Sequence, residues 1–239
     1  MNTALILGSG WDKVLTKVKV IKSTDYNDIF SVQSTVPGHQ GKLIEGELAG
    51  KRILIMSGRF RIYEGHNAQK AVEPIEYLKK LGVTTLITTS ACGGLNPKYQ
   101  PGDFVILNDL LTLFSPSPLV GAKFQDLSQI YDRELQKIAE KSMSNLNLSF
   151  HKGVYVYYHG PNFESPADKM ALRHLGADIV GMSTVPETIM AKNLGMKVLG
   201  LALVTNLAFV KHSHKDVLEQ SQKSGKQMSQ LLFEIIQKI

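Results

Sequence analysis

The chain has 239 residues, 43% of them hydrophobic and 20% charged, with a formal net charge of +6. That length and balance are ordinary for a soluble globular chain, and the lysines are scattered rather than gathered into a basic stripe, so nucleic-acid binding is not expected. The single cysteine, Cys92, rules out an internal disulfide framework and a metal cluster. No apolar run reaches the roughly 18 residues that span a bilayer. No basic segment precedes the first apolar strand, so a cytoplasmic protein without a signal peptide is expected.

In chain order, short apolar runs read as strands at 4–7, 52–56, 84–89, 104–108, 152–157, 179–181 and 197–205. Helical patterns fall at 68–81, 132–145, 166–175, 185–194 and 215–238. The alternation predicts a single α/β domain over 1–239 with helices flanking the sheet. A hairpin between 42–48 and 52–56 adds an antiparallel element, so the sheet is expected to be mixed. The segment 115–121 is rich in proline and serine and reads as a loop. Ligands of such sheets sit beyond the carboxyl ends of strands, and Gly8, Ser57, Ser90, His159, Ser183 and Asn206 stand just after predicted strands.

Several segments carry chemistry. Gly8-Ser9-Gly10 follows the first strand and reads either as a tight turn or as an oxyanion cradle with Ser9 as donor; no Gly-Lys-Ser/Thr follows, so it is not a Walker loop. His39 is bracketed by Gly38 and Gly41 in a loop. Gly58-Arg59-Phe60-Arg61-Ile62-Tyr63-Glu64-Gly65-His66 puts two arginines on one side of an extended segment, where paired guanidiniums match phosphate oxygens. Ser90-Ala91-Cys92-Gly93-Gly94 offers small residues that admit a ligand close to the backbone, with Cys92 read as a small buried side chain. In Gly160-Pro161-Asn162-Phe163-Glu164-Ser165 an aromatic ring beside an acid can stack on a flat heterocycle and accept its N–H groups. Gly181-Met182-Ser183-Thr184-Val185-Pro186-Glu187 offers amides and hydroxyls to an anion or a sugar.

These motifs together resemble the trimeric purine nucleoside phosphorylase family, and the resemblance runs from Leu5 to about Leu232. It implies that Ser9, His39, Arg59, Arg61, Ala91 and Ser183 surround phosphate. It implies that Tyr63, Phe124, Tyr155, Phe163, Glu164, Met182, Asn206 and His214 surround the nucleoside. Phe124 aligns with an aromatic that reaches a neighbouring subunit's ribose site, which implies a homotrimer; His214 aligns with the histidine of the ribose 5′-hydroxyl. Arg61 stands where the family has histidine, and Ser90 where it has asparagine.

The implied reaction is attack of inorganic phosphate on C1′ of a 6-oxopurine (deoxy)ribonucleoside such as inosine or guanosine, releasing the base and (deoxy)ribose 1-phosphate in purine salvage. Glu164 and Asn206 are the expected catalytic pair. Phosphate is a co-substrate, and neither cofactor nor metal is expected. Methylthioadenosine phosphorylases resemble the same family but have aspartate where Asn206 stands and lack the Glu164 carboxylate. A non-catalytic nucleoside-binding protein is the alternative from another class, supported only by Arg61 and Ser90.

Overall fold

The strands are β1 (Thr3–Leu7), β2 (Lys19–Asp25), β3 (Lys42–Leu48), β4 (Lys51–Ser57), β5 (Thr85–Gly94), β6 (Phe104–Leu111), β7 (Phe150–Tyr157), β8 (Ile179–Gly181) and β9 (Lys197–Leu207). The helices are α1 (Tyr26–Phe30), α2 (Ala68–Lys80), α3 (Arg133–Asn145), α4 (Pro166–His174), α5 (Val185–Asn193) and α6 (His214–Lys238). This computed structural model describes residues 1–31, 41–211 and 213–239.

The strands form one mixed sheet in the order β2-β3-β4-β1-β5-β8-β7-β6-β9, as the hairpin predicted. β9 also returns to pair with β5, so β5, β8, β7, β6 and β9 close into a ring while β2, β3, β4 and β1 extend from it as an open wing. β1, β4, β5 and β9 run parallel, so their carboxyl ends point the same way. β9 explains its central place: Val198 to Val204 is an unbroken buried run, as a strand covered on both faces requires.

Two apolar layers cover the sheet. On one face, Trp11, Leu135, Met143, Leu231 and Ile235 bring α3, α6 and the 3-10 turn Trp11–Lys17 against the strands. On the other, Val72, Ile75, Val185 and Ile189 bring α2 and α5. Helix starts follow their capping residues: the Asn67 side chain accepts from Lys70 N–H, Asp132 from Glu134 and Leu135 N–H, and Ser165 and Asp168 form a reciprocal box.

One strand and one α-helix escape the sequence reading, as do the 3-10 turns. β2 is an edge strand whose residues are nearly all exposed, so Lys-Val-Ile-Lys-Ser-Thr-Asp shows no period-2 burial signal. α1 is a five-residue helix, too short to register a period. β5 and β9 also run further than predicted, to Gly94 and Leu207, and these extensions carry site residues. No helix among the described residues is long and apolar enough to cross a membrane.

Candidate active site

The carboxyl ends of β1, β4, β5 and β9 meet the end of β8 around a cavity of about 330 Å³. Ser9, Arg59, Arg61, Tyr63, Ala91 and Ser183 line it. So do Phe163, Glu164, Met182 and Asn206. Ten of the fourteen residues singled out by sequence therefore converge on one site.

The Arg59 guanidinium, almost wholly buried, organises one end of the cavity. Its Nη1 donates to Ser183 Oγ at 2.9 Å and its Nη2 to the Thr89 carbonyl at 3.0 Å. Nε lies 3.1 Å from Glu187 Oε1; the N–H is not aimed well enough for a hydrogen bond, so the contact is an ion pair. Thr89 also ties this group to β1, because its hydroxyl accepts from Gly8 N–H at 2.9 Å and donates to the Ile6 carbonyl at 2.8 Å. Gly8 cannot carry a side chain here, since a Cβ would lie 2.4 Å from the Thr89 carbonyl oxygen.

Arg61 is also buried, two residues along and on the same side, while Phe60 between them turns into the core against Tyr26 and Phe30. Burial pulls the Arg61 guanidinium below its usual range, and the neighbouring Tyr63 pulls the other way. The guanidinium carbon sits 5.7 Å from the Tyr63 ring centre. A short 3-10 turn, Ile62–Glu64, follows; the Glu64 carboxylate accepts from Arg61 N–H at 3.0 Å and fixes the turn that presents Tyr63.

Ser183 is presented by strained backbone. Thr184, buried, has φ 76° and ψ −44°, and Val185 N–H donates across it to the Ser183 carbonyl at 2.8 Å. A threonine in such a γ-turn persists only where its surroundings over-determine it.

The other wall comes from β9. Pairing with β5 shifts by one residue, Cys92 opposing Val204 and Gly93 opposing Asn206. This bulge leaves Thr205 between registers and lets consecutive residues, Thr205 and Asn206, line the same cavity. The Thr205 hydroxyl lies within hydrogen-bond range of the Cys92 carbonyl, 3.2 Å, and of Asn206 Oδ1, 3.0 Å. Glu164 is buried just before α4, while Phe163 beside it is 41% exposed and forms part of the rim.

A sequence model of the family described as "Phosphorylase superfamily" matches residues 2–237. The chain belongs to that family. Among its relatives there, purine nucleoside phosphorylase 1 of Bacillus subtilis is 41% identical, over 92% of this chain and 85% of that protein. The purine nucleoside phosphorylase of Bos taurus is 37% identical, over 97% and 86%. Among solved structures, Schistosoma mansoni purine nucleoside phosphorylase in complex with adenosine superposes with a TM-score of 0.91 at 35% identity, covering 100% of this chain and 91% of that one. The same enzyme in complex with inosine gives 0.91 at 34%, covering 100% and 90%.

Of the other four predicted residues in this phosphorylase-superfamily fold, two have side chains outside the described ones and two do not line the cavity. His39 lies outside the described residues, as does His212; the backbone of His214 opens α6, but its side chain is not among the described ones. Phe124 is 93% exposed and does not line the protomer's cavity. Tyr155 does not line it either: it is fully buried beneath Ser183 rather than at the base end expected for it.

Sequence reasoning missed Thr205 and the role of Glu187. An acid in the first turn of a helix reads as a partner for the helix dipole, and nothing in the sequence pairs it with an arginine on a distant strand. Cys92 is a small buried side chain, as expected; it also lines the cavity while its thiol donates to the Leu203 carbonyl, and burial pushes its pKa up. Among the described residues no three His, Cys, Asp or Glu side chains come together to hold a metal.

Proposed function

We propose that this chain catalyses the phosphorolysis of 6-oxopurine nucleosides, in the cytoplasm and without cofactor or metal. Support comes from one juxtaposition: a buried carboxylate, Glu164, and an amide, Asn206, line the same cavity as the Arg59–Ser183 pair. Phosphate is held by Arg59, Arg61, Ser9, Ser183 and the Ala91 N–H, and His39 belongs to this set by family resemblance. Tyr63 and Met182 flank the sugar and Phe163 the purine face.

A phosphate oxygen attacks C1′ from the face opposite the base. The C1′–O bond forms as the C1′–N9 bond breaks, and the electron pair of the broken bond passes to the purine. Asn206 donates to the purine at N7 or O6 while Glu164 accepts from N1–H, so the developing negative charge is met by groups already in place. Phe124 is exposed on the protomer, and here it is given to the sugar end of a neighbouring subunit in a trimer; His214 is given to the 5′-hydroxyl.

The base assignment predicts a specificity change. Asn206→Asp replaces a donor to O6 with an acceptor for a 6-amino group, so the ratio of inosine to adenosine kcat/KM is expected to fall by about tenfold or more. Steady-state rates on both nucleosides check it; an unchanged ratio would mean that residue 206 does not face the base.

Arg61 makes the second prediction. Arginine stays charged across the working range, whereas histidine has an ordinary pKa of about 6.5. Arg61→His is expected to bind phosphate as the cation below that pH and to lose the charge above it. Its phosphate KM should climb relative to wild type between pH 6 and 8, and parallel profiles would remove Arg61 from the anion site.

A further inference from the structure

We propose that Tyr155 is a positioning residue for the anion end of the cavity rather than a wall of its base end. The proposal rests on the phosphorolysis reading above and assigns the phenol a place in it. Tyr155 is fully buried on β7, and its oxygen accepts a hydrogen bond from Ser183 N–H at 3.3 Å. Ser183 Oγ in turn accepts from Arg59 Nη1, and Ser183 directly precedes the strained Thr184. The phenol thus anchors the residue that links the main anion-binding guanidinium to a γ-turn unable to hold its shape unaided.

The local sequence makes room for this contact. A Cβ on Gly181 would lie 2.2 Å from the Tyr155 hydroxyl oxygen, so the phenol reaches Ser183 only past a glycine. Burial raises the pKa of the phenol well above its usual value, so it stays protonated at every working pH and presents a fixed dipole. Without it, the Ser183 amide loses its partner, the γ-turn can relax, and Ser183 Oγ moves relative to Arg59. The purine-facing groups, Phe163, Glu164 and Asn206, sit on other segments and stay in place.

Tyr155→Phe removes one oxygen and keeps the ring. Phosphate KM is expected to rise about tenfold, the scale of one lost buried hydrogen bond, while nucleoside KM stays within about twofold. Gly181→Ala displaces the same phenol and should produce the same phosphate-selective defect. Tyr99→Phe serves as the control, because that phenol is comparably buried but donates to the Lys152 carbonyl at 3.0 Å; it should lower the melting temperature and leave phosphate KM alone. A Tyr155→Phe protein that raises nucleoside KM instead, or moves neither constant, overturns the proposal. Should the wild type release no base from any purine nucleoside, the phosphorolysis reading fails by itself. Calorimetric titration of both proteins with inorganic phosphate then decides the positioning role, and equal affinities overturn it.

Discussion

Arg59→Ala is expected to reduce phosphate-dependent turnover by about a thousandfold or more, because it removes preorganised donors from the place proposed for the attacking anion. It is also expected to destabilise the fold by about 3–5 kcal/mol. The second effect follows from burial: the Arg59 and Glu187 side chains are only 4% and 5% exposed, and the substitution strands a carboxylate inside the protein. The two effects separate in the double variant Arg59→Ala/Glu187→Leu, which removes the stranded charge and should recover most of the stability but none of the activity. Urea midpoints and phosphate saturation curves for both proteins test this. An Arg59→Ala enzyme within about tenfold of wild type would place the anion elsewhere, since one such donor alone is worth more than that.

Glu164→Ala is expected to lower kcat/KM for inosine by about 10²–10³, the loss typical of one buried charge-stabilising group. The carboxylate is buried, and in the proposed reading it accepts from the N1–H that 6-oxopurines carry and adenine lacks, so the loss should be far smaller for adenosine. The fold should tolerate the change, because the adjoining helix α4 is started by Ser165, Pro166 and Asp168, not by Glu164. Rates on inosine and adenosine with thermal melts give the answer; an inosine rate within about threefold of wild type would remove Glu164 from base recognition, since a lost site hydrogen bond costs more.

Much of this architecture was legible because local chemistry and global fold agree. The capping residues Asp132 and Ser165 mark where α3 and α4 begin, and the apolar run of β9 announces a central strand. The strand-end motifs gave the cavity because chain direction alone brings the ends of β1, β4, β5 and β9 together. What stayed hidden depends on pairing between distant segments. The bulge opposite Cys92 and Gly93 that turns both Thr205 and Asn206 inward is a property of two strands, and neither strand shows it alone. The Arg59–Glu187 pair and the Tyr155–Ser183 contact are hidden for the same reason: each joins residues far apart in the chain, and neither segment's own pattern names its partner. Ring closure of the sheet, with β9 contacting both β5 and β6, likewise leaves no mark in hydrophobic periodicity.

The central claim is that phosphate is the nucleophile and a 6-oxopurine the leaving group. It is tested most directly by incubating the protein with inosine, with and without inorganic phosphate, and quantifying hypoxanthine and the sugar product. Base release should require phosphate and yield one ribose 1-phosphate per hypoxanthine, with adenosine turned over poorly under the same conditions. Phosphate-independent release accompanied by free ribose, adenosine turnover equal to that of inosine, or tight inosine binding with no base released would each contradict it.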